Sequence, residues 1–227
     1  MMVRSFEYWL KANYRKTGLA NDALPSQVMK WALRKLIKRW QKHFDQMADD
    51  LADTFVGKVM SAGDAALRRQ MRRHGMSVQF QMTRSMRSAY EAVIEENVNL
   101  IRDLPRKFGT QLTTEVMISV GRGRDMGYLA DQLQHQMGVC RRRAETIARD
   151  QNDKATSVLQ AQRQMDLGIT EGIWKHSHAG KVPRASHVAA DNERFNLSEG
   201  KLIDGEYIMP GQEINCRCTW RAVIPGI

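Results

Sequence analysis

The chain has 227 residues, 42% of them hydrophobic, so it can bury a core without help from disulfides or metals. Its three cysteines are too few, and odd in number, for a disulfide scaffold, which favours a reducing compartment. The net charge is +10, and residues 151–227 hold nine basic and nine acidic side chains, so the whole surplus lies in residues 1–150. This asymmetry favours nucleic acid or an acidic partner, while no stretch has the roughly 20 apolar residues of a membrane span.

The N-terminal part predicts a long amphipathic helix. Residues 1–24 are polar with interspersed aromatics and predict either a short helix or an arm that orders on a partner. From Pro25, apolar residues recur at steps of three and four over roughly 30 residues, the period of a helix face. Asp22 and Ser26 are candidate caps for this helix, and Gly63 is expected to end or kink it.

Glycine and proline divide the next hundred residues into further predicted helices. These cover 64–73, 78–101 (before Pro105), 106–120, a short segment between a cap at Asp125 and a stop at Gly138, and 140–165. Gly168 is the expected C-terminal glycine of the last one.

The sequence pattern changes after residue 169, where apolar runs become shorter and Gly and Pro become more frequent. Strands are predicted at Ile173–Trp174, Tyr207–Met209 and Thr219–Ile224, with a brief helix over 185–190. The predicted fold is therefore mainly α with a small α+β C-terminal domain. We divide it into a basic helical region, 1–105, and a second domain, 106–227.

Basic side chains recur at helical spacing along the first long helix and cluster again further on. The candidate contact residues for DNA or an acidic partner are Lys30, Arg34, Lys35, Lys38, Arg39, Lys42, Arg68, Arg69, Arg72 and Arg73. Such rows can follow a DNA backbone, although a solvated helix face is the commonest fate of a charge run. No base-reading motif is present, so any DNA contact is expected to be independent of sequence.

The C-terminal part gathers imidazoles and thiols. Zinc prefers these ligands, which makes His176, His187, Cys216 and Cys218 a candidate zinc set. The spacing is not that of a standard zinc finger. The alternative is that His187 and Asn215 hold turns by hydrogen bonds while the cysteines are small buried residues, and on that interpretation no cofactor is expected.

A catalytic interpretation is also weak. Ser186 and His187 are neighbours in sequence and would point about 100° apart on a helix, which is poor geometry for a nucleophile and its base. We therefore expect no catalytic residue and no enzyme activity. Ser186 is instead a candidate helix cap, and Arg184 a candidate bridge to an acidic group or a backbone carbonyl.

The segment 141–224 contains an ordered set of motifs: a helix RRRAETIARDQNDKATSVLQAQRQMDLG, then PRASH, then MPGQEINCRC, preceded by GRGRDMGYLADQL. The motif residues are Trp174, Arg184, Ser186, His187, Asp191, Phe195, Pro210, Gly211, Asn215, Cys216, Arg217 and Cys218. In order and spacing they resemble the phage head morphogenesis family, which includes phage Mu protein F-like minor head proteins. The chain departs from that family at Asp150-Gln151, where Thr–Glu is usual, and at Asp191-Asn192, where Asp–Gly is frequent. Residues 1–105 carry no such resemblance.

The resemblance implies a minor head protein of a tailed bacteriophage, made in the bacterial cytoplasm and incorporated in the virion. It implies a structural role at the portal vertex or inner capsid that assists procapsid assembly, with contact to packaged or ejected DNA. The implied partners are a portal protein, a major capsid or scaffold protein, and double-stranded DNA. Two alternatives are a metal-dependent DNA-acting enzyme of a mobile element and a sequence-independent DNA-binding packing protein.

Overall fold

A computed structural model describes residues 2–16, 25–121, 126–178 and 182–226. Four long helices precede a small region of short strands, which confirms the predicted fold class. The helices are α1 (Met2–Lys16), α2 (Pro25–Arg73), α3 (Arg84–Gly121), α4 (Met126–Asp166) and the short α5 (Ala185–Ala189). The strands are β1 (Glu171–Lys175), β2 (Arg194–Asn196), β3 (Lys201–Ile203), β4 (Glu206–Ile208) and β5 (Thr219–Val223). None of the helices in the described residues is long and apolar enough to cross a membrane.

Three predicted helix breaks are wrong, because α2 continues through Gly63, α3 through Pro105 and α4 through Gly138. A glycine inside a helix costs only about 1 kcal/mol, which packing of the surrounding turns outweighs. The amide end of the Gln160 side chain occupies the space that a Cβ on Gly63 would take.

Of the predicted caps, Asp22 and Asp125 lie outside the described residues. Helix α2 already begins at Pro25, so Ser26 lies within its first turn and is not its cap. The predicted end of α4 is confirmed. Gly168 has a φ of +79°, and the N–H of Ile169 donates to the carbonyl of Gln164 at 3.0 Å, a reversal that favours glycine.

The short strands form two antiparallel sheets. One has the order β2-β1-β5, and it pairs Gly172 with Phe195 and Trp174 with Trp220. The other is the β3–β4 hairpin. The strands predicted around Ile173, Tyr207 and Thr219 are confirmed, whereas β2 and β3 have three residues each and were not predicted.

The chain forms two compact units whose residue ranges interleave. Unit 1 comprises Met1–Leu51 and Val98–Ala144, and unit 2 comprises Ala52–Asn97 and Glu145–Ile227. Residues 52–97 of the predicted N-terminal region therefore fall in unit 2, and residues 106–144 of the predicted second domain fall in unit 1.

Unit 1 has its own core, to which the N-terminal segment contributes. Phe6 and Leu10 of α1 are fully buried with Leu33 of α2, and Phe6 packs edge-on against Phe108 of α3 at 5.3 Å between ring centroids. Of the two alternatives for the first residues, the helix is therefore confirmed for Met2–Lys16.

Unit 2 contains two apolar clusters. One joins Leu67 and Met71 of α2 to the sheet residues Trp174, Phe195 and Ile208, among others. The other packs α2, α3 and α4 together through residues such as Val56, Met86 and Leu159. The strands and loops that carry the family motifs thus rest on a helical base.

Candidate functional site

Helix α5 presents His187 to the interior of unit 2. The helix has five residues, and the imidazole of His187 is only 4% exposed. Its ring stands edge-on to the fully buried indole of Trp174, with 5.4 Å between centroids. Ser186 lies inside α5 and the N-cap position belongs to Arg184, so the predicted capping role of Ser186 is wrong.

Two buried thiols face that imidazole. Cys216 and Cys218 precede β5, and their Sγ atoms lie 3.5 and 3.7 Å from Nδ1 of His187. Residues two apart in an extended segment project to the same side, which brings both thiols to one ring nitrogen. All three donor atoms lie within 4.8 Å of one another, and we call this set the Cys2His cluster.

The second nitrogen of His187 is fixed by a carboxylate. Nε2 lies 2.9 Å from Oε2 of Glu213. Because a carboxylate only accepts, Nε2 carries the proton and the lone pair of Nδ1 is directed at the two thiols. Both ring nitrogens are therefore engaged, and neither is available as a base for Ser186.

Arg184 makes both contacts considered for it in the sequence. Its guanidinium forms an ion pair with Oε2 of Glu213 at 3.1 Å and donates to the carbonyl of Ile214 at 2.9 Å. Arg184 thereby fixes the carboxylate that orients His187. Glu213 was not singled out from the sequence, although its place three residues before the Cys-x-Cys pair was a usable signal.

The two thiols have unequal acidity. The hydrogen bond from the Cys218 side chain, helped by the backbone N–H groups of Cys218 and Gly211, lowers the pKa of Cys216 to about 5. That same hydrogen bond, together with burial, raises the pKa of Cys218 well above its usual range. The two shifts are opposite in direction, so Cys216 is the more acidic thiol of the pair.

The motif Pro210-Gly211 and Asn215 shape the loop that carries the thiols. Gly211 has a φ of +82° and Asn215 a φ of +60°, conformations in which glycine and asparagine are favoured. A Cβ on Gly211 would lie 3.3 Å from the carbonyl oxygen of Asp153 on α4. The Gly211 N–H donates to Sγ of Cys216 at 3.4 Å, so the turn also contributes to the cluster.

Both departures from the family pattern have a structural explanation. Asp150 accepts a hydrogen bond from the backbone N–H of Asn215 at 2.9 Å, so it anchors the thiol loop to α4. Asn192 has a φ of +67°, a conformation that suits the glycine frequent in the family and that asparagine tolerates. Asp191 accepts from the N–H of His176 at 2.9 Å, which lowers the pKa of its carboxyl.

A cavity of about 370 Å³ opens beside the cluster. His187, Cys216 and Cys218 line it, as do the neighbouring residues His176 and Arg217. The three-atom cluster does not include His176, whose Nδ1 accepts from the backbone N–H of His178 at 3.2 Å. Of the four predicted zinc ligands, the structure thus brings three together and places the fourth on the cavity wall.

The remaining motif residues are mainly structural. Trp174 and Phe195 pack edge-on at 6.0 Å between centroids, and Phe195 in turn packs against Trp220 of β5. Trp174 also packs edge-on against His187, so these rings connect the sheet core to the Cys2His cluster.

The predicted contact residues on α2 share one exposed face in unit 1. We call this the α2 basic face, and its members are Lys30, Arg34, Lys35, Lys38, Arg39 and Lys42. Within the part of the chain that the structure describes, none of the six forms an ion pair, and Lys35 lies 5.3 Å from the ring of Trp31. In unit 2, Arg68 stacks on Phe80, whereas Arg69, Arg72 and Arg73 are exposed.

The fold and this site define a mainly helical protein whose small C-terminal sheet region is built around a buried Cys2His cluster. Residues 110–221, 112 of the 227 residues, match the phage Mu protein F-like family, and this region of the chain is assigned to that family. Its class is therefore, in general terms, that of phage head morphogenesis proteins, as the motif resemblance predicted.

One relative comes from Haemophilus influenzae and bears the name uncharacterized protein. It is 25% identical over 192 residues, which cover 83% of this chain and 42% of the relative, so the chain spans less than half of that relative's length. No solved structure matches the chain.

Proposed function

We propose that this chain is a minor head protein of a tailed bacteriophage that assists procapsid assembly at the portal vertex or inner capsid surface. The observation that carries the proposal is the family match over residues 110–221, which includes α4, strands β1 to β4, the first three residues of β5 and the Cys2His cluster. On this proposal the protein is a component of the virion and acts by binding, without catalysis.

The partner surface follows from the distribution of charge. Residues 151–227 are electrically balanced, while residues 1–150 hold the entire surplus of ten positive charges. On α2 the buried Leu33 and the half-buried Ile37 lie opposite the α2 basic face. Cations without acidic partners in the described residues suit an anionic surface, and the portal protein and the genome are the two candidates at this vertex.

DNA contact is supported by the length of this face. The twelve residue steps from Lys30 to Lys42 span about 18 Å of helix, and duplex DNA carries one phosphate charge per about 1.7 Å of its axis. The six cations, spread over about half of the helix circumference, lie along a length in which a duplex presents roughly ten phosphate charges. Contacts of this kind are to the backbone, so we propose binding without base preference.

The test is to co-express the chain with the portal gene of the same genome and to image the purified particles by cryo-electron microscopy. We expect helical density on the portal ring or the adjacent inner shell. A bare portal, with the chain separate at low salt, would overturn the assembly role.

A pair of charge-matched variants locates the contact. Lys30→Glu, Arg34→Glu and Lys38→Glu together change the charge of the α2 basic face by six. Lys58→Glu, Arg84→Glu and Arg87→Glu make the same change at three exposed residues of unit 2. We expect only the first triple variant to lose the portal or DNA density. Equal losses would assign the effect to net charge alone.

A further inference from the structure

We propose that Nδ1 of His187 and the Sγ atoms of Cys216 and Cys218 bind one zinc ion. The inference goes beyond the head-assembly role and does not depend on it. It rests on four features of the cluster: the spacing of the donor atoms, their burial, the partners behind them and the cavity in front of them.

The spacing of the donors matches a tetrahedral zinc site. Zinc binds thiolate sulfur at about 2.3 Å and imidazole nitrogen at about 2.05 Å. With a tetrahedral angle of about 109°, these lengths place sulfur and nitrogen about 3.6 Å apart. The observed separations from Nδ1 are 3.5 Å to Cys216 and 3.7 Å to Cys218, so both sulfur–nitrogen distances match those of a tetrahedral zinc site.

Neighbouring groups also form hydrogen bonds that orient the imidazole and stabilise the thiolates. Glu213 accepts the Nε2 proton of His187, the carboxylate–histidine arrangement that orients zinc-binding imidazoles and raises their basicity. The N–H of Gly211 donates to the sulfur of Cys216, and that of Ser177 interacts with Cys218, contacts that stabilise thiolates. All three donor residues are buried, with at most 5% of each exposed, which limits competition from water.

The fourth position of the ion faces the cavity of about 370 Å³. The three protein donors line this cavity, and His176 lines it as a further imidazole. We therefore assign this position to a cavity-side donor, either water or His176. Three protein ligands and one exchangeable position leave the ion accessible to small ligands.

Zinc would join two segments that are distant in sequence. His187 belongs to α5, and the thiols lie 29 and 31 residues further along the chain. The ion would bind both sulfurs as thiolates, with release of the protons that the thiols carry in its absence.

Cobalt titration of the full-length chain, purified apo under a metal-free phosphine reductant, tests the proposal. Co²⁺ is the spectroscopic probe because thiolate ligation gives an intense sulfur-to-cobalt absorption. We expect saturation at one cobalt per chain and displacement by one equivalent of zinc. Absence of this absorption in the folded, reduced chain would overturn the proposal.

Variants identify the ligands. We expect metal binding to weaken by more than 100-fold in each of the variants Cys216→Ser, Cys218→Ser and His187→Ala. Glu213 contacts the ligand His187 and not the ion, so Glu213→Gln should weaken binding by 10- to 100-fold. Cys140→Ser removes the third cysteine of the chain and is the matched control, so it should bind as the wild type does. Loss of the signal in the control would assign the thiolate to another site and overturn the proposal.

A protection experiment covers the case in which a ligand variant fails to fold. The reduced wild type is alkylated with iodoacetamide in the presence and absence of one equivalent of zinc, and each cysteine is quantified by mass spectrometry. Zinc should slow the modification of Cys216 and Cys218 at least tenfold and leave that of Cys140 unchanged. Equal rates with and without zinc would contradict the site.

Discussion

The guanidinium of Arg163 donates two hydrogen bonds to the carboxylate of Asp64, from Nε to Oδ1 at 2.8 Å and from Nη2 to Oδ2 at 3.0 Å. Arg163 belongs to α4 and its side chain is only 4% exposed, while Asp64 lies on α2. A third contact runs from Nη1 to the carbonyl of Gln81, and the guanidinium stacks on Phe80. This one side chain thereby joins α2, α4 and the segment before α3 within unit 2.

Removal of the acidic partner should destabilise unit 2 strongly. Asp64→Ala leaves a buried guanidinium without its counter-charge, and we expect it to lower the free energy of unfolding by about 3–5 kcal/mol. Urea denaturation followed by circular dichroism measures this loss. Asp49→Ala is the matched control because its pair with Arg102 is exposed, and it should cost less than about 1 kcal/mol. Equal losses would show that burial of the Arg163 pair is not decisive.

The ring beneath the Cys2His cluster should contribute most to the sheet core. Trp174→Ala removes a fully buried indole that contacts His187 and Phe195, and we expect a loss of about 3–5 kcal/mol. Trp31→Ala removes the same side chain from a position that is 65% exposed, so it should cost about 0.5 kcal/mol or less. Thermal unfolding of the two variants gives the comparison, and similar melting temperatures would contradict the assigned core.

Any side chain at Gly211 should destabilise the turn. Gly211→Ala places a Cβ at a φ of +82° and within 3.3 Å of the Asp153 carbonyl, so we expect destabilisation by about 1–2 kcal/mol. Gly138→Ala, inside α4, would place a Cβ in ordinary van der Waals contact with the Arg142 guanidinium and should instead stabilise by about 0.5–1 kcal/mol. Chemical denaturation distinguishes the two signs. An unchanged Gly211→Ala variant would mean that the loop adopts another conformation.

The end of α4 should contribute a pH-dependent part of the stability. Partial burial opposes the charge of Asp166, but hydrogen bonds from Thr83, Gln162 and Ser85 outweigh it and lower the pKa of this carboxyl. A pKa lower in the folded than in the unfolded chain stabilises the fold above the unfolded value of about 3.9. That stability is lost as the pH falls through the folded value.

Asp166→Asn should therefore be less stable than the wild type at pH 7, and the difference should shrink as the pH falls below about 4. Urea midpoints measured from pH 7 to pH 3 give this profile. Asp50→Asn is the control, since its exposed carboxylate forms no hydrogen bond or ion pair among the described residues, and its small difference should stay constant. If the stability difference between the wild type and Asp166→Asn did not change with pH, the hydrogen-bonded carboxylate would not be the cause of that difference.

Duplex binding should depend on salt through the α2 basic face. Each phosphate contact contributes about 0.9 to the slope of log K against log salt, so Lys30→Gln, Arg34→Gln and Lys38→Gln together should reduce the slope by about 3. Fluorescence anisotropy with two unrelated duplexes measures the slope and the absence of base preference. Lys58→Gln, Arg84→Gln and Arg87→Gln should leave it nearly unchanged, and an equal reduction would argue against this face.

The sequence by itself determined what depends on local pattern. The apolar repeat after Pro25 is a helical period, and Gly168 supplies a positive φ at a helix end, so both were recognisable without a structure. The order of PRASH and NCRC likewise sufficed for the family, because it records which residue types recur at which spacing.

Only the tertiary structure decided where the helices and strands end and which residues they contact. Gly63 and Pro105 are helix breakers in isolation, yet α2 and α3 continue through them because packing along each helix outweighs the local cost. Strand β2 has three residues and exists because β1 offers it hydrogen-bond partners. His187 approaches two thiols about 30 residues away, and its Nε2 contacts Glu213. These contacts depend on the tertiary fold, because no local sequence pattern specifies which distant segments meet.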